Sequence, residues 1–310
     1  MSIITIFLST ITILFNTAAK EPVNEKPKKK SNVIVLVIDG PRYSETFGDT
    51  SREHIPNLTQ LANKGAFYPN FYNNGVTFTN PGHTAITTGV YEALNNSGFE
   101  IPSNPSIFNY FIEQNNNDTL AYIIASKDKL EVLANSSNST YHNRFQPLTD
   151  CGNNGNGTGY RNDSITMQRV FATMQKTKPQ LMLINLREPD YAGHGGNYEN
   201  YLKQLKQSDL YALQLWNFIQ TNANYKNNTT LFITNDHGRH LDDIKDGFIS
   251  HGDNCQGCKH ISCIVLGPTI VPGNKEIFRE QIDIPATIAQ LLGFNMPTGT
   301  GKVMEELFTK

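Results

Sequence analysis

Three aspartates and three histidines of this chain stand just beyond the ends of apolar runs. Asp39-Gly40 follows Val33 to Ile38 (VIVLVI). Arg187-Glu188-Pro189-Asp190 and then Gly193-His194 follow Leu181 to Leu186. Asn235-Asp236-His237-Gly238 follows Leu231 to Thr234, and Ser250-His251-Gly252 comes a short way on. Carboxylate and imidazole together form the ligand set for Zn²⁺, and six or seven such ligands suffice for two ions. An aspartate after one strand is ordinarily a turn residue or a helix cap. Their joint occurrence after three strands that a parallel sheet brings together is what points to a metal centre, because ligands collect at the carboxyl ends of such strands.

A second chemical element is the stretch from Thr77 to Gly89 (TFTNPGHTAITTG). Pro81 suits the first turn of a helix and Gly89 its C′ position. Thr79 then sits at a helix N-terminus, where unpaired N–H groups and the macrodipole favour an anion. A threonine hydroxyl is a weak nucleophile until a metal lowers its pKa, so Thr79 either caps the helix or, beside the metal ligands, acts as the nucleophile. A third element follows Leu120 to Ala125, where Ser126-Lys127-Asp128-Lys129 places two lysines two residues apart. In an extended segment both point to one side, where they grip a doubly charged terminal phosphate.

The elements that position these residues alternate along the chain. Continuous β-branched runs over Val33–Ile38, Leu120–Ala125, Leu181–Leu186, Leu231–Thr234 and Ile261–Leu266 predict strands covered on both faces. Helical periodicity predicts helices over Pro56–Asn63, Pro105–Glu113, Ser164–Gln175, Tyr198–Ile219 and Pro285–Leu292, with Gly65 and Gly293 as stops. The fold class expected is α/β, a mainly parallel sheet with helices on both faces and a small cap insertion. Residues 134–163, rich in Asn, Ser and Gly, read as a long surface excursion.

Lys plus Arg number 26 against 28 Asp plus Glu, a formal charge of −2, which argues against a nucleic-acid partner bound through bulk positive charge. Ile3 to Phe15 is apolar and is followed by Thr17, Ala18 and Ala19, so residues 1–19 read as a signal peptide too short for a stable membrane span. Residues 20–31 read as a linker and residues 32–310 as the catalytic domain. Secretion or a periplasmic location follows as the expectation. The four cysteines, Cys151, Cys255, Cys258 and Cys263, then predict one or two structural disulfides. Cys255 and Cys258 lack the second CxxC of a zinc ribbon and the preceding βαβ unit of a thioredoxin-like motif.

Together these segments resemble the alkaline phosphatase superfamily, in the threonine-nucleophile branch that includes nucleotide pyrophosphatase/phosphodiesterases. The matching motifs are Asp39-Gly40, Thr79 to Gly89, Glu188 to His194, Asp236 to Gly238 and His251-Gly252, with Asp283 to Gly293 similar to the closing helix. The resemblance implies two Zn²⁺ ions, one held by Asp190, His194 and His251, the other by Asp39, Asp236 and His237 with Thr79. It implies a phospho-threonine intermediate, and an asparagine, Asn96 or its neighbour Asn95, holding a phosphoryl oxygen. His260 competes with His251 as the last ligand; His251 better fits the spacing to Gly267-Pro268. Ser126 to Lys129 is similar to the stretch in phosphonoacetate hydrolases and threonine-type alkaline phosphatases where a Lys-x-Lys/Arg pair contacts the phosphoryl group. The chain departs from the pyrophosphatases in lacking a large insertion between His237 and His251, so an open pocket is expected. It has no Cys-x-Pro-x-Arg segment, which argues against a formylglycine sulfatase.

The leading expectation is a zinc-dependent phosphomonoesterase acting on a small-molecule phosphate ester, without nucleic-acid partner or membrane insertion. The alternatives are a phosphodiesterase, nucleotide pyrophosphatase or phosphonate hydrolase with the same metals, and a catalytically silent metal-binding recognition module.

Overall fold

The first strand, β1 (Asn32–Ile38), is buried along its whole length, and its side chains alternate between two apolar layers. Val33, Val35 and Val37 enter one layer, while Ile34, Leu36 and Ile38 enter the other. The computed structural model, which describes residues 1 and 31–308, shows why both faces are covered. After β1 come α1 (Pro56–Lys64), β2 (Ala66–Tyr72), α2 (Thr79–Thr88), α3 (Ile107–Asn115), β3 (Ala121–Ala125), β4 (Leu148–Cys151) and α4 (Asp163–Lys176). The chain continues through β5 (Leu181–Leu186), α5 (Glu188–His194), α6 (Tyr198–Thr221), β6 (Thr229–Thr234), α7 (Gln256–Lys259) and β7 (His260–Leu266). It closes with β8 (Gly273–Asn274), β9 (Arg279–Glu280) and α8 (Asp283–Leu292). Helices α3 and α8 pack on the first layer through Ile107, Phe108, Ile284 and Ile288. Helices α1, α4 and α6 pack on the second through Leu61, Val170 and Leu215. Each fully buried Val, Leu or Ile contributes about 1.5–3 kcal/mol, so bulk burial rather than the polar site sets the position of the sheet.

The strand order is β4-β3-β5-β1-β6-β7-β2-β8, with β9 paired to β2. Strands β3, β5, β1 and β6 run parallel, so Lys127, Asp190, Asp39 and Asp236 all emerge at one end of the sheet. Strand β7 is antiparallel to both β6 and β2. The sheet is therefore mixed at one side and parallel where the site lies.

Several expectations need correction. Residues 134–163 are more than a surface excursion: Leu148–Cys151 add an edge strand parallel to β3, and Arg161 and Asp163 are buried. Strand β2 was not anticipated, because Pro69 interrupts its pattern; the register shifts between Tyr68 and Phe71, where a residue lacking N–H is tolerated. The expected extended Lys127–Lys129 segment turns into a 3₁₀ stretch at Asp128. The predicted disulfides are absent among the described residues, where all four cysteines are free. Cys151 on β4 and Cys263 on β7 are separated by four intervening strands, each step about 4.8 Å, far beyond disulfide reach. The expected signal peptide, and the linker up to residue 30, lie outside the described residues. Among the described residues, no helix is long and apolar enough to cross a membrane.

Candidate metal centre and nucleophile

Asp39, at the end of β1, is followed by Gly40 with φ of 66°, a left-handed conformation that favours glycine. A Cβ there would stand 2.9 Å from Asp190 Oδ1, so the turn also requires the missing side chain. The Gly40 N–H donates to Asp236 Oδ1 at 3.2 Å, tying the first strand's end to the sixth's. The three aspartates predicted from sequence are thus brought together and buried, at 0%, 3% and 0% exposure for Asp39, Asp190 and Asp236.

Their histidines complete two sets. Asp190 Oδ1 lies 3.3 Å from the Nε2 atoms of both His194 and His251, which are 3.1 Å from each other. His237 Nε2 lies 3.5 Å from Asp39 Oδ1 and 3.4 Å from Asp236 Oδ2. Tetrahedral ligands about 2.0–2.1 Å from one ion stand about 3.3–3.4 Å apart, which is the spacing of both sets. Hydrogen bonds fix the rings. His237 Nδ1 pairs with Gly238 O at 2.9 Å and His251 Nδ1 with Thr77 O at 2.7 Å, leaving each Nε2 lone pair for a cation. Asp236 Oδ2 and His237 Nε2 are buried without a hydrogen-bond partner. Such atoms are costly unless a cation joins them, so the residues present fit a metal ion there.

The electrostatics agree. Burial pushes the His237 imidazole down to about 3, so it stays neutral as a ligand must. Burial, and then the neighbouring Asp236, hold the Asp39 carboxyl well above its ordinary range. Burial opposes ionisation of Asp190 as well, but Lys127, His194, His251 and Arg239 carry it well below that range. Two buried cations, Lys127 and Arg239, face three buried carboxylates.

Thr79 opens α2, whose N-cap position is taken by Phe78, a side chain that cannot cap. Thr79 Oγ1 accepts from Lys127 Nζ at 3.0 Å, and the same ammonium donates to Asp39 Oδ1 at 2.9 Å and Asp190 Oδ2 at 2.6 Å. Lys129 Nζ donates to Asn96 Oδ1 at 2.9 Å, and that oxygen also accepts from Asn80 N at 3.0 Å. Thr79, Asn96, Lys127, Lys129, His194 and His251 line one pocket of about 240 Å³. Asn96 rather than Asn95 is therefore at the site, since Asn95 Oδ1 serves the turn to Ser97. His260 is excluded from it: its ring stacks on Tyr43 at 3.7 Å and its Nε2 donates to Pro69 O. Two segments stand where a small cap was expected, residues 89–106 supplying Asn96 and residues 126–162, which include a 3₁₀ stretch and β4, supplying both lysines and Tyr160.

Sequence reasoning gave no role to His83, Asn185 or Arg239. His83, four residues after Thr79, lies on the same helical face and sets its Nδ1 3.3 Å from Asp236 Oδ2. Asn185 Nδ2 donates to Asp39 Oδ2 at 3.1 Å. Arg239 is fully buried against Asp190 and the carbonyls of Phe248 and Ile249. A buried arginine directly after Asp-His-Gly was a signal open to notice. Asn185 was hidden inside an apolar strand.

Fold and site together define an α/β metalloenzyme. The chain belongs to the Metalloenzyme superfamily, whose profile matches residues 31–296. No curated protein matches it by sequence. Among solved structures it is similar to the alkaline phosphatase PafA, at 12% identity and a TM-score of 0.68, covering 91% of this chain and 100% of that one. It is also similar to the phosphonate monoester hydrolase SpPMH from Silicibacter pomeroyi, at 14% identity and a TM-score of 0.63, covering 90% and 77%. A third is BT4656, solved with its substrate D-glucosamine-2-N,6-O-disulfate, at 12% identity and 0.64, covering 91% and 81%. At these identities the likeness is one of fold, alkaline phosphatase-like with a mostly parallel central sheet.

Proposed function

We propose that the protein is a zinc-dependent phosphomonoesterase of the threonine-nucleophile branch, acting through a phospho-threonine on Thr79. The observation that carries this reading is the 3.0 Å contact between Lys127 Nζ and Thr79 Oγ1 in a pocket that also holds Lys129 and Asn96. One ion would be held by Asp190, His194 and His251, the other by Asp39, Asp236, His237 and Thr79. When bound, the cations supply Lewis acidity that lowers the pKa of the attacking hydroxyl and stabilises the leaving oxygen. Lys127 favours the Thr79 oxyanion by charge-assisted hydrogen bonding. Thr79 Oγ attacks phosphorus, the ester P–O bond breaks, and the alcohol departs. Water then cleaves the Thr79 O–P bond and frees phosphate. Asn96 Oδ1 is committed to Asn80 and Lys129, so its amide NH₂ is the end that holds a phosphoryl oxygen. Lys129 supplies the positive charge that a dianion rewards and a diester does not. Residues 1–19 direct this enzyme to an extracytoplasmic compartment.

The test compares an aryl monophosphate with its methyl diester and the matching sulfate ester, using wild type and Lys129→Ala. A charge-assisted contact contributes about 1.5–3 kcal/mol, so Lys129→Ala should lose roughly tenfold to a hundredfold in kcat/KM on the monoester. The loss on the diester should be much smaller. Faster wild-type turnover of the diester, or equal losses on both esters, would transfer the assignment to a phosphodiesterase or phosphonate hydrolase.

A further inference from the structure

A second cluster of metal-ligand type lies on the segment that joins β6 to β7. His240, Asp253, Cys255 and Cys258 each direct one ligand atom into a space where all four atoms lie within 4.8 Å of one another. None of them belongs to the two sets described above.

The decisive atom is His240 Nε2. The His240 side chain is 1% exposed and its Nδ1 pairs with Asp246 Oδ1 at 3.0 Å, with Ser250 Oγ at 3.2 Å. Nδ1–H donates to the Asp246 carboxylate, so Nε2 presents a lone pair. That lone pair is buried without a hydrogen-bond partner and stands 3.2 Å from Asp253 Oδ2. Two lone pairs facing each other at that range repel unless a cation lies between them. The carboxylate–histidine arrangement behind the ring is the one that orients metal-binding imidazoles.

The sulfurs complete the donor set. Cys255 caps α7 and Cys258 lies within it, and the Cys258 N–H points at Cys255 Sγ at 3.3 Å. The Asp253 carboxylate is oriented by the Cys255 N–H at 2.9 Å and by Lys245 Nζ at 2.9 Å. Two sulfurs, one imidazole and one carboxylate select a tetrahedral zinc ion. We infer that His240, Asp253, Cys255 and Cys258 bind one structural zinc ion, separate from the hydrolytic pair. Binding deprotonates both thiols and releases two protons to solvent. Two thiolates and a carboxylate against Zn²⁺ leave one net negative charge, which Lys245 offsets.

The position gives the ion a purpose. Cys258 O accepts from Gly238 N at 2.8 Å, so the cysteine turn braces the Asp236-His237-Gly238 turn directly. The same segment carries His251, two residues before Asp253. The ion would therefore hold two ligand-bearing turns in register.

The test uses the full chain purified without chelator. Zinc content of wild type and of Cys255→Ser/Cys258→Ser should differ by one equivalent. Wild type reloaded with Co²⁺ should show thiolate-to-cobalt charge-transfer absorption in the near ultraviolet, absent from the variant. The hydrolytic ligands contain no sulfur, so this band reports the new site whether or not the proposed hydrolysis is correct. A Cys255–Cys258 disulfide found by mass spectrometry of non-reduced wild type would overturn the inference. Equal zinc content in a folded variant, or cobalt-loaded wild type without the band, would do the same. Should the double variant fail to fold, the wild-type cobalt spectrum and disulfide map decide alone.

Discussion

His237 and His251 stack face to face, with ring centroids 3.8 Å apart and planes inclined by 16°. Each ring belongs to a different proposed metal ion, so the stack couples the two halves of the centre. His251→Ala should then lose one equivalent of bound metal and weaken the second. His260→Ala, whose ring lies between Tyr43 and Tyr72, should keep the full metal content. Metal analysis of the two variants checks this, and the reverse pattern would reassign the last ligand.

Thr79→Ala should abolish turnover by roughly three orders of magnitude or more while metal content stays close to wild type, because removal of a covalent nucleophile acts on the chemical step. Its hydroxyl accepts from Lys127 Nζ, so the variant's loss should appear in turnover rather than in unfolding. Turnover within tenfold of wild type would show that the hydroxyl is not the nucleophile.

Burial, and then repulsion from Lys127, bring the Lys129 ammonium down to about 8. It is cationic below that pH and neutral above, so its contribution to binding a dianion is lost as pH rises through about 8. Monoesterase kcat/KM should fall across that window in wild type. Lys129→Arg, which keeps its charge, should flatten the fall. Folding responds with the opposite sign: from about 8 to 10.5 the unfolded chain binds the extra proton, so stability rises with pH there. A pH profile unchanged in the arginine variant would remove Lys129 from the substrate site.

Gly40→Ala should cost about 1–3 kcal/mol for a left-handed non-glycine residue, before any clash. Its Cβ would also press on Asp190 Cβ at 2.9 Å, displacing a ligand. Denaturant unfolding should show the stability loss and metal analysis a weakened site. A variant with wild-type stability and metal content would show that the turn tolerates a side chain.

The parallel core and the metal ligands were legible because each depends on local patterns. A doubly covered strand reads as an unbroken apolar run, and its functional residue follows at its carboxyl end, as in Ile38-Asp39 and Thr234-Asn235-Asp236. What escaped depends on partners distant in sequence. Asn185 looks like an interruption of β5 until Asp39 is placed beside it, 146 residues away. Strand β4 is a sheet edge of four residues, and Asp150 is of a type depleted in strands. Spacing to Gly267-Pro268 favoured His251 over His260, whereas the stacking of His260 on Tyr43 is not encoded in spacing. The cysteines were read through an expected compartment, whereas their distribution across the sheet decides their pairing.

The place of β1 has a consequence for how the molecule is made. Its first residue pairs with Thr229, 197 residues later, and its other edge pairs with β5. During synthesis this strand, apolar on both faces, emerges first and waits for partners made much later. Contacts of such sequence separation form slowly, because loop closure must precede any gain from pairing. The proposed metal ligands span Asp39 to His251, so neither set is complete until His237 or His251 has been made. Metal uptake must follow closure of the sheet, and the waiting strand is the segment most exposed to aggregation, where a holding chaperone would act.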